Sequence, residues 1–524
     1  MKKILLLVVF VLSAFSLCSA QAWQFVGPRA MGMGGTGVAT AYGPDAQYWN
    51  PAGLAQDEDV NETGFLINAG ATLESTKNIL EAVSNLTDMS KQYDNLIDNI
   101  DHNANISAED ISTIFTGLND ISKVVGKNTG ALINADAGLG IKIKNFSISA
   151  RSLGSGSILP IVDTKNIKFN DGGAGIQIGN PSATLSTENQ TTAQALADAI
   201  DENNLFNPLK TLLNATTCSN SLQLATALID AAASYGISEE DIAKYIGTSI
   251  SNMPGAAEII KLADSATGSY EDNETVAMAD AAAFGEVSLG YGMQVYQGIK
   301  VGANIKVLSG YTAQNGVMIL KDDEKVEDIL DKTNDNKKNS TNIGIDLGAL
   351  VNFSKLLEKD IFLNPQVGLT ARNINGPKFD RPDLPADIDP LSPIAQNWRT
   401  DKYQLKPQLR AGAAVNPLKW ITLAADLDIT ENDTMLAGIK SRQLALGAEF
   451  NLFNHQRFNI PLRIGYNKNL AASEMCPFYT AGIGFNMVHF FVDLAGAVSN
   501  STGKVDGKEI PSSAGLSLTL GLLF

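Results

Sequence analysis

Residues 515–524 read Gly-Leu-Ser-Leu-Thr-Leu-Gly-Leu-Leu-Phe, an alternation of apolar with small or polar side chains that holds its phase to the aromatic Phe524. A β-strand turns successive side chains to opposite faces. Leu516, Leu518, Leu520, Leu522 and Phe524 therefore share one face, and Ser517, Thr519 and Gly521 the other. Such a strand suits the wall of a lipid-embedded barrel, which shows one face to acyl chains and the other to its lumen. Phe524 is expected at the aromatic girdle, as the membrane-insertion signal of the closing strand.

The opposite end agrees. Lys2 and Lys3 precede an uncharged apolar run from Ile4 to Leu17 and the small residues Ser19-Ala20-Gln21-Ala22. This is the pattern of a secretory signal peptide over residues 1–22, with an Ala-x-Ala cleavage option before Trp23. Cys18 follows bulky Leu17, where a lipid-attachment site wants a small residue. No later run reaches about 18 apolar residues, so no helical span is expected. An outer-membrane location follows, with lipid, lipopolysaccharide and the barrel assembly machinery as expected partners.

The formal charge of −17 becomes −19 without Lys2 and Lys3, which argues against nucleic acid as a partner. Cys218 and Cys476 leave one candidate disulfide. His102, His455 and His489 have no nucleophile motif beside them. No catalytic residue, metal site or cofactor is expected, and the chain does not read as an enzyme. The acidic stretch 322–328 lacks calcium-loop spacing and reads as a solvated loop.

Period-2 runs mark about fourteen strands, near 63–73, 131–143, 145–154, 279–295, 298–310, 340–353, 361–373, 402–415, 420–430, 441–452, 457–467, 476–486, 488–498 and 512–524. Half-oily strands equally suit a soluble sandwich. The connections discriminate: every second one is short, as at 144–145, 296–298 and 416–418, while 74–130, 155–278, 311–339 and 374–400 are long. A barrel with both ends in the periplasm needs that asymmetry and a sandwich does not. The expected fold is thus an all-β, transmembrane, antiparallel outer-membrane β-barrel of about fourteen strands.

Aromatics gather where interfaces would lie: Tyr296, Phe353, Trp420, Phe453, Phe458, Phe491 and Phe524 at the periplasmic ends, Tyr311, Tyr403, Tyr466 and Tyr479 at the outer ends. If Val415 opposes Ile421, then Arg410 faces Asp426 and Gln408 faces Asp428 across the lumen face, with Lys406 nearby. That lining either braces the barrel or tunes passage. Pro365 and Pro407, each unable to donate to a ladder, are candidates for a lateral gate if they lie side by side.

Two α-helical extracellular insertions are expected, over 74–128 and 186–270. In the first, Ile79, Val83, Leu86, Tyr93, Ile97 and Ile100 follow a 4-3 spacing; the second carries alanine-rich helical stretches near 191–201, 221–235 and 239–250. Residues 23–60 precede the barrel at 61–524 and are dense in glycine: Gly32, Gly34, Gly35 and Gly37 lie in one short run, followed by Asn50-Pro51-Ala52. Gly32, Gly34 and Gly37 match a dinucleotide fingerprint in form only, since no strand precedes them. Such glycines instead permit tight backbone folding in a confined space.

Here the chain resembles a known family. Gly-Pro-Arg-Ala-Met-Gly-Met-Gly-Gly-Thr-Gly at 27–37, followed by Trp-Asn-Pro-Ala-Gly-Leu at 49–54, resembles the amino-terminal hatch of FadL/TodX-type outer-membrane proteins. The segments 403–412 and 423–428 look closer to the plasmid-transfer (conjugal transfer) TraF-type branch. The resemblance implies a lumen plugged by residues 23–60, with Asn50, Pro51 and Ala52 matching the hatch's Asn-Pro-Ala element. It implies passive uptake of small hydrophobic compounds, or alternatively a structural role touching proteins of a transfer or secretion apparatus.

Overall fold

A computed structural model describes residues 22–55, 63–76, 79, 129–168, 187–202, 204–212, 215–234, 267–269, 272–318, 336–455, 458–505 and 508–524. Fourteen strands close into one antiparallel barrel. They are β1 (Thr63–Ser75), β2 (Ala131–Ile143), β3 (Phe146–Ile161), β4 (Val276–Tyr296), β5 (Ile299–Met318), β6 (Lys338–Asn352), β7 (Gln366–Arg372), β8 (Gln408–Leu418), β9 (Ile421–Asp428), β10 (Gln443–His455), β11 (Phe458–Asn469), β12 (Phe478–Met487), β13 (Phe490–Ser499) and β14 (Ala514–Leu523). Every expected strand is present. Closure is by β1 against β14, with Ala69 opposite Leu518. Beyond the last pair the backbones of Thr63 and Phe524 exchange both hydrogen bonds, at 2.8 and 3.2 Å. Phe524 also stacks on His489 at 4.8 Å, so it lies beside β1 at the short-turn end as its position in the closing strand implies.

Alternation decides which face each residue takes. On β14 the Leu516 face is exposed, whereas Ser517 and Thr519 are buried in the lumen. The same split holds on β4, with Val287 and Leu289 outside and Glu286 and Ser288 inside. An outer surface of Leu, Ile, Val and Phe over a polar interior is the pattern a bilayer selects.

Strand heights differ around the wall. β3, β4 and β5 extend past their expected ends, because outer residues such as Ala277, Ala279, Ala281 and Ala283 are small and covered on both faces. β7 and β8 are shorter than expected and begin just after Pro365 and Pro407. A proline has no N–H for the ladder and halts pairing there. The two strands are antiparallel, with Gln408 opposite Arg372 and Ala414 opposite Gln366. Pro365 and Pro407 therefore sit at opposite ends of one strand pair, and the expected side-by-side lateral gate is corrected. Beyond the end of the ladder at Gln366, single backbone bonds still tie this segment to its neighbours, Phe353 N to Pro365 O at 3.1 Å and Asn416 N to Leu363 O at 2.7 Å.

Of the expected helices in the second insertion, two are present as Thr187–Glu202 and Ser221–Ser234, with a further helix at Phe206–Leu212 between them. The stretch 239–250, most of 74–128, the acidic run 322–328 and His102 lie outside the described residues. Cys218 and Cys476 are both buried and free, so the candidate disulfide is absent.

Candidate functional site: the plugged lumen and its mouth

Residues 22–55 thread through the barrel interior. Two short helices, α1 (Pro28–Gly32) and α2 (Ala46–Trp49), and a 3-10 turn at Pro51–Ala55 form the plug. Gly34 has φ +70°, and a Cβ there would lie 2.5 Å from the Tyr466 carbonyl oxygen and 2.6 Å from that of Leu446. Only glycine lets the plug backbone touch β10 and β11 at this point. Gly35 follows at φ +90°, turning the chain back across the lumen. Asn50 ties the plug to itself and to the wall: its Nδ2 donates to Val38 O at 2.8 Å and Ala349 O at 3.0 Å, and its Oδ1 accepts from Ala52 N at 3.0 Å.

The two groups of sequence candidates meet here. Arg410, almost fully buried, donates from Nη2 to Gly35 O at 2.9 Å and from Nη1 to Asp428 Oδ1 at 3.2 Å, while its Nε lies 3.5 Å from Asp426 Oδ2. That same Asp426 oxygen accepts from the backbone N–H groups of Gly37 at 2.8 Å and Val38 at 3.0 Å. The lumen charges thus clamp the glycine run. The register differs from the expected one: Arg410 opposes Asp428, Gly412 opposes Asp426, and Gln408 faces Arg372 on the other side. Leu418 pairs with Ile421 at the turn, and past an irregularity between Val415 and Leu418 the ladder puts Val415 opposite Leu423, two residues on from the expected Ile421. An even shift keeps every side chain on its face, so the lumen set survives. Lys406 is corrected: it precedes β8 at the mouth, half-exposed, and pairs with Asp433 at 2.6 Å.

Sequence reasoning missed most of the lumen's ionic framework. Arg29 of the plug grips Glu449 with Nε at 2.9 Å and Nη2 at 3.1 Å. Arg463 continues the chain, to Glu449 at 2.7 Å and to Asp493 at 2.6 Å. Lys306 bridges Asp346 at 3.0 Å and Glu286 at 3.4 Å. The available signal was a charge set into the polar phase of an alternating strand, as Glu286, Lys306, Asp346, Glu449, Arg463 and Asp493 all are.

Aromatics occupy the middle of the plug. Trp23 stacks on Trp49 at 5.8 Å, Tyr48 meets both edge-on, and Arg372 and Arg410 lie over the Trp23 ring at 4.8 and 5.3 Å. Cavities against this cluster are about 10 and 20 Å³. A single water needs roughly 10–15 Å³, so no solute passes there in this state.

Above the plug, outer connections fold inward. Phe379, Tyr403 and Leu405 from 373–407, Met435, Leu436 and Ile439 from 429–442, and Ala472 and Met475 from 470–477 pack with Phe284 and Leu308 of the wall. Tyr403 is thereby corrected from an outer girdle residue to the core of an apolar cap. Burial in that apolar layer pushes its hydroxyl pKa up. Phe491 also turns inward, lining a cavity of about 70 Å³ beneath the plug, while neighbouring Phe490 takes the outward place. The 373–407 connection is pinned by Asp280 of β4, which binds Arg381 at 2.7 Å and Arg399 at 3.1 Å.

On the outer side of this cap lies a cavity of about 550 Å³. Its lining is mixed: Leu159, Met278, Trp398, Met435, Leu436 and Ile439 are apolar, while Asp280, Gln314, Arg399, Asp401, Lys406, Asp433 and Lys440 are polar or charged. Partial burial would raise the Asp433 carboxyl, but hydrogen bonds from Lys406 and Lys440 outweigh it and hold the group below the usual carboxylate range.

The family model described as F plasmid transfer operon, TraF, protein matches residues 47–428, and the chain belongs to that family. No curated protein sequence matches it. Among solved structures it is similar to the Ralstonia pickettii toluene transporter TbuX, at 11% identity and TM-score 0.41 over 95% of this chain and 98% of that one. The Pseudomonas putida toluene transporter TodX aligns at 8% identity and TM-score 0.41, over 96% and 99% of the two chains. A Pseudomonas aeruginosa FadL homologue aligns at 8% and TM-score 0.38, over 97% and 99%.

Proposed function

We propose that this TraF-family barrel is a passive outer-membrane route for small hydrophobic compounds, with the plug as its gate. The observation that carries the reading is the 550 Å³ mouth cavity, whose apolar patch of Leu159, Met278, Trp398 and Met435 lies over the apolar cap, beside polar lining from Asp280, Gln314, Arg399 and Asp401. A porin for polar solutes keeps an aqueous lumen. Here the space below the mouth holds an apolar cap and a plug, so a solute that gains by leaving water is the kind that would enter. No residue takes a chemical role: binding is by burial, and translocation follows displacement of cap and plug.

The test is uptake of small apolar solutes into liposomes by three forms: the intact chain, one lacking residues 23–56, and that deletion combined with Arg381→Met, which unpins the cap. Permeability should stay low in the deletion, where the cap still closes the barrel, and rise in the combination. The second reading, a structural part of a transfer apparatus, is favoured by the closed cavities around Trp23 and Trp49. It stands if none of the three folded forms raises permeability to any solute.

A further inference from the structure

The lumen carboxylates described above have arginine or lysine partners; Glu74 on β1 has none within 4.0 Å among the described residues. Its Oε1 accepts a hydrogen bond from Asn134 Nδ2 at 3.1 Å, and the Asn134 oxygen is taken up by Ser155 at 2.7 Å. Glu74 nevertheless faces inward, lining both the 10 and the 20 Å³ cavities. Glu74 is half-buried among lumen residues, where water screens its charge less than at the surface and a counter-charge stabilises it. Ala22, Trp23 and Gln24 line the larger cavity with it.

We propose that the missing cation is the α-ammonium of Trp23, created by hydrolysis of the Ala22–Trp23 bond, and that Glu74 is its receptor. The proposal rests on residues 1–22 being a signal peptide cut at the Ala20-Gln21-Ala22 site. In that cut a signal peptidase adds water across the amide: the new carboxylate leaves with Ala22, and the Trp23 nitrogen takes up a proton at neutral pH. Before cleavage, position 23 offers Glu74 only a neutral amide N–H. Afterwards it offers a cation with three donors, and the 20 Å³ cavity has room for about one such group.

The segment that lines the cavity with Glu74 is held in place. Gln24 N donates to the Tyr48 hydroxyl at 3.0 Å and Gln24 Nε2 to Gly154 O at 2.6 Å, while the Trp23 ring lies on Trp49. One residue of backbone is left to place the nitrogen. Arg372 and Arg410 face the Trp23 ring and oppose a further positive charge, but Arg410 is matched by Asp426 and Asp428. The cavity also touches Leu132, Met435 and Met475 of the cap. The ion pair would thus sit at the junction of plug and cap and add one more fastening to the plug once the chain is processed.

The full-length chain, purified from outer membranes in detergent, tests this. Intact mass locates the amino terminus. A pulse of acetic anhydride across pH, read at the amino-terminal peptide, then gives the midpoint at which the amine becomes reactive. The folded protein should begin at Trp23 and show a midpoint at least about one pH unit above that of the same chain in urea, a tenfold difference in free amine. Glu74→Gln, if it retains the heat-shifted gel mobility of a folded barrel, should label about tenfold faster at neutral pH, and Glu74→Asp should remain slow. A chain that begins at Trp23 with a midpoint equal to or below the unfolded one overturns the pairing while cleavage stands. A chain that begins elsewhere, or carries lipid on Cys18, overturns both.

Discussion

Replacing Asp426 by alanine isolates what holds the plug in place. Its Oδ2 receives the N–H groups of Gly37 and Val38 at 2.8 and 3.0 Å and lies 3.5 Å from Arg410 Nε. Hydrogen bonds to a charged group contribute about 1.5–3 kcal/mol each, and both N–H groups would be left buried and unpaired. Arg410 keeps Asp428 and Gly35, so its own charge is not stranded. Seating of the plug should therefore weaken by about 3–6 kcal/mol, and the lower figure alone is over a hundredfold in the open population. Hydrogen exchange read by mass spectrometry in micelles measures that opening directly. Peptides over residues 27–41 should lose protection by at least a hundredfold, with the β10 and β11 ladders unchanged. Unchanged protection in 27–41 would mean that packing alone seats the plug. Loss throughout the wall would mean that Asp426 serves the barrel and not the plug.

Gly34→Ala should unseat the plug as strongly, because the added methyl meets two wall carbonyls, while Gly43→Ala, also at positive φ but with nothing within 4 Å, should cost only about 1 kcal/mol; exchange over 27–41 compares them. Asp433 is held ionised below its usual range, so its pairing with Lys406 and Lys440 stabilises the mouth fully at pH 5, begins to weaken below about pH 4 and is lost as the pH falls through its own depressed pKa. Protease nicking of 429–442 should begin there and also increase with salt, since both lysines are half-exposed. Deleting Phe524 removes the closing exchange with Thr63 and the stack on His489, and should slow membrane insertion with export intact. Pulse-chase of the heat-shifted band checks this, and normal insertion would refute it.

The wall was legible because its physics is periodic. A bilayer outside and a polar lumen inside impose a period of two on every strand, and Leu516 to Phe524 display it without any tertiary information. The clamp residues Arg410, Asp426 and Asp428 were legible for the same reason, as charges on the inner phase. Their register was not, because the strands alternate equally well whether Val415 opposes Ile421 or Leu423, and only the folded turn, which pairs Leu418 with Ile421, chooses between them. Pro365 and Pro407 were misplaced by a related blindness: composition says that each stops a ladder, but which end it stops depends on strand direction and length. The cap was hidden altogether. Tyr403, Met435 and Met475 come from three connections with no shared period, and only the folded loops bring them together.

Cap and plug are two barriers in series. The cap hangs on Asp280, Arg381 and Arg399, and the plug on Arg29, Asn50, Arg410, Asp426 and Glu449. Asp428 links them, holding Arg410 through Oδ1 at 3.2 Å and accepting from Asn432 Nδ2 of the 429–442 connection through Oδ2 at 3.4 Å, while Asp280, Arg381 and Arg399 act on the cap and Arg29, Asn50 and Glu449 on the plug. For passage through serial barriers the slower one sets the rate, and a chain stripped of its plug stays closed for as long as Phe379, Tyr403 and Leu405 cover Phe284. A closed lumen in one state is thus what a two-gate conduit and a permanently sealed structural barrel have in common. They part in the double change: opening both fastenings leaves a conduit with a continuous path from the 550 Å³ mouth to the short-turn end, whereas a structural barrel has nothing for a solute to gain there.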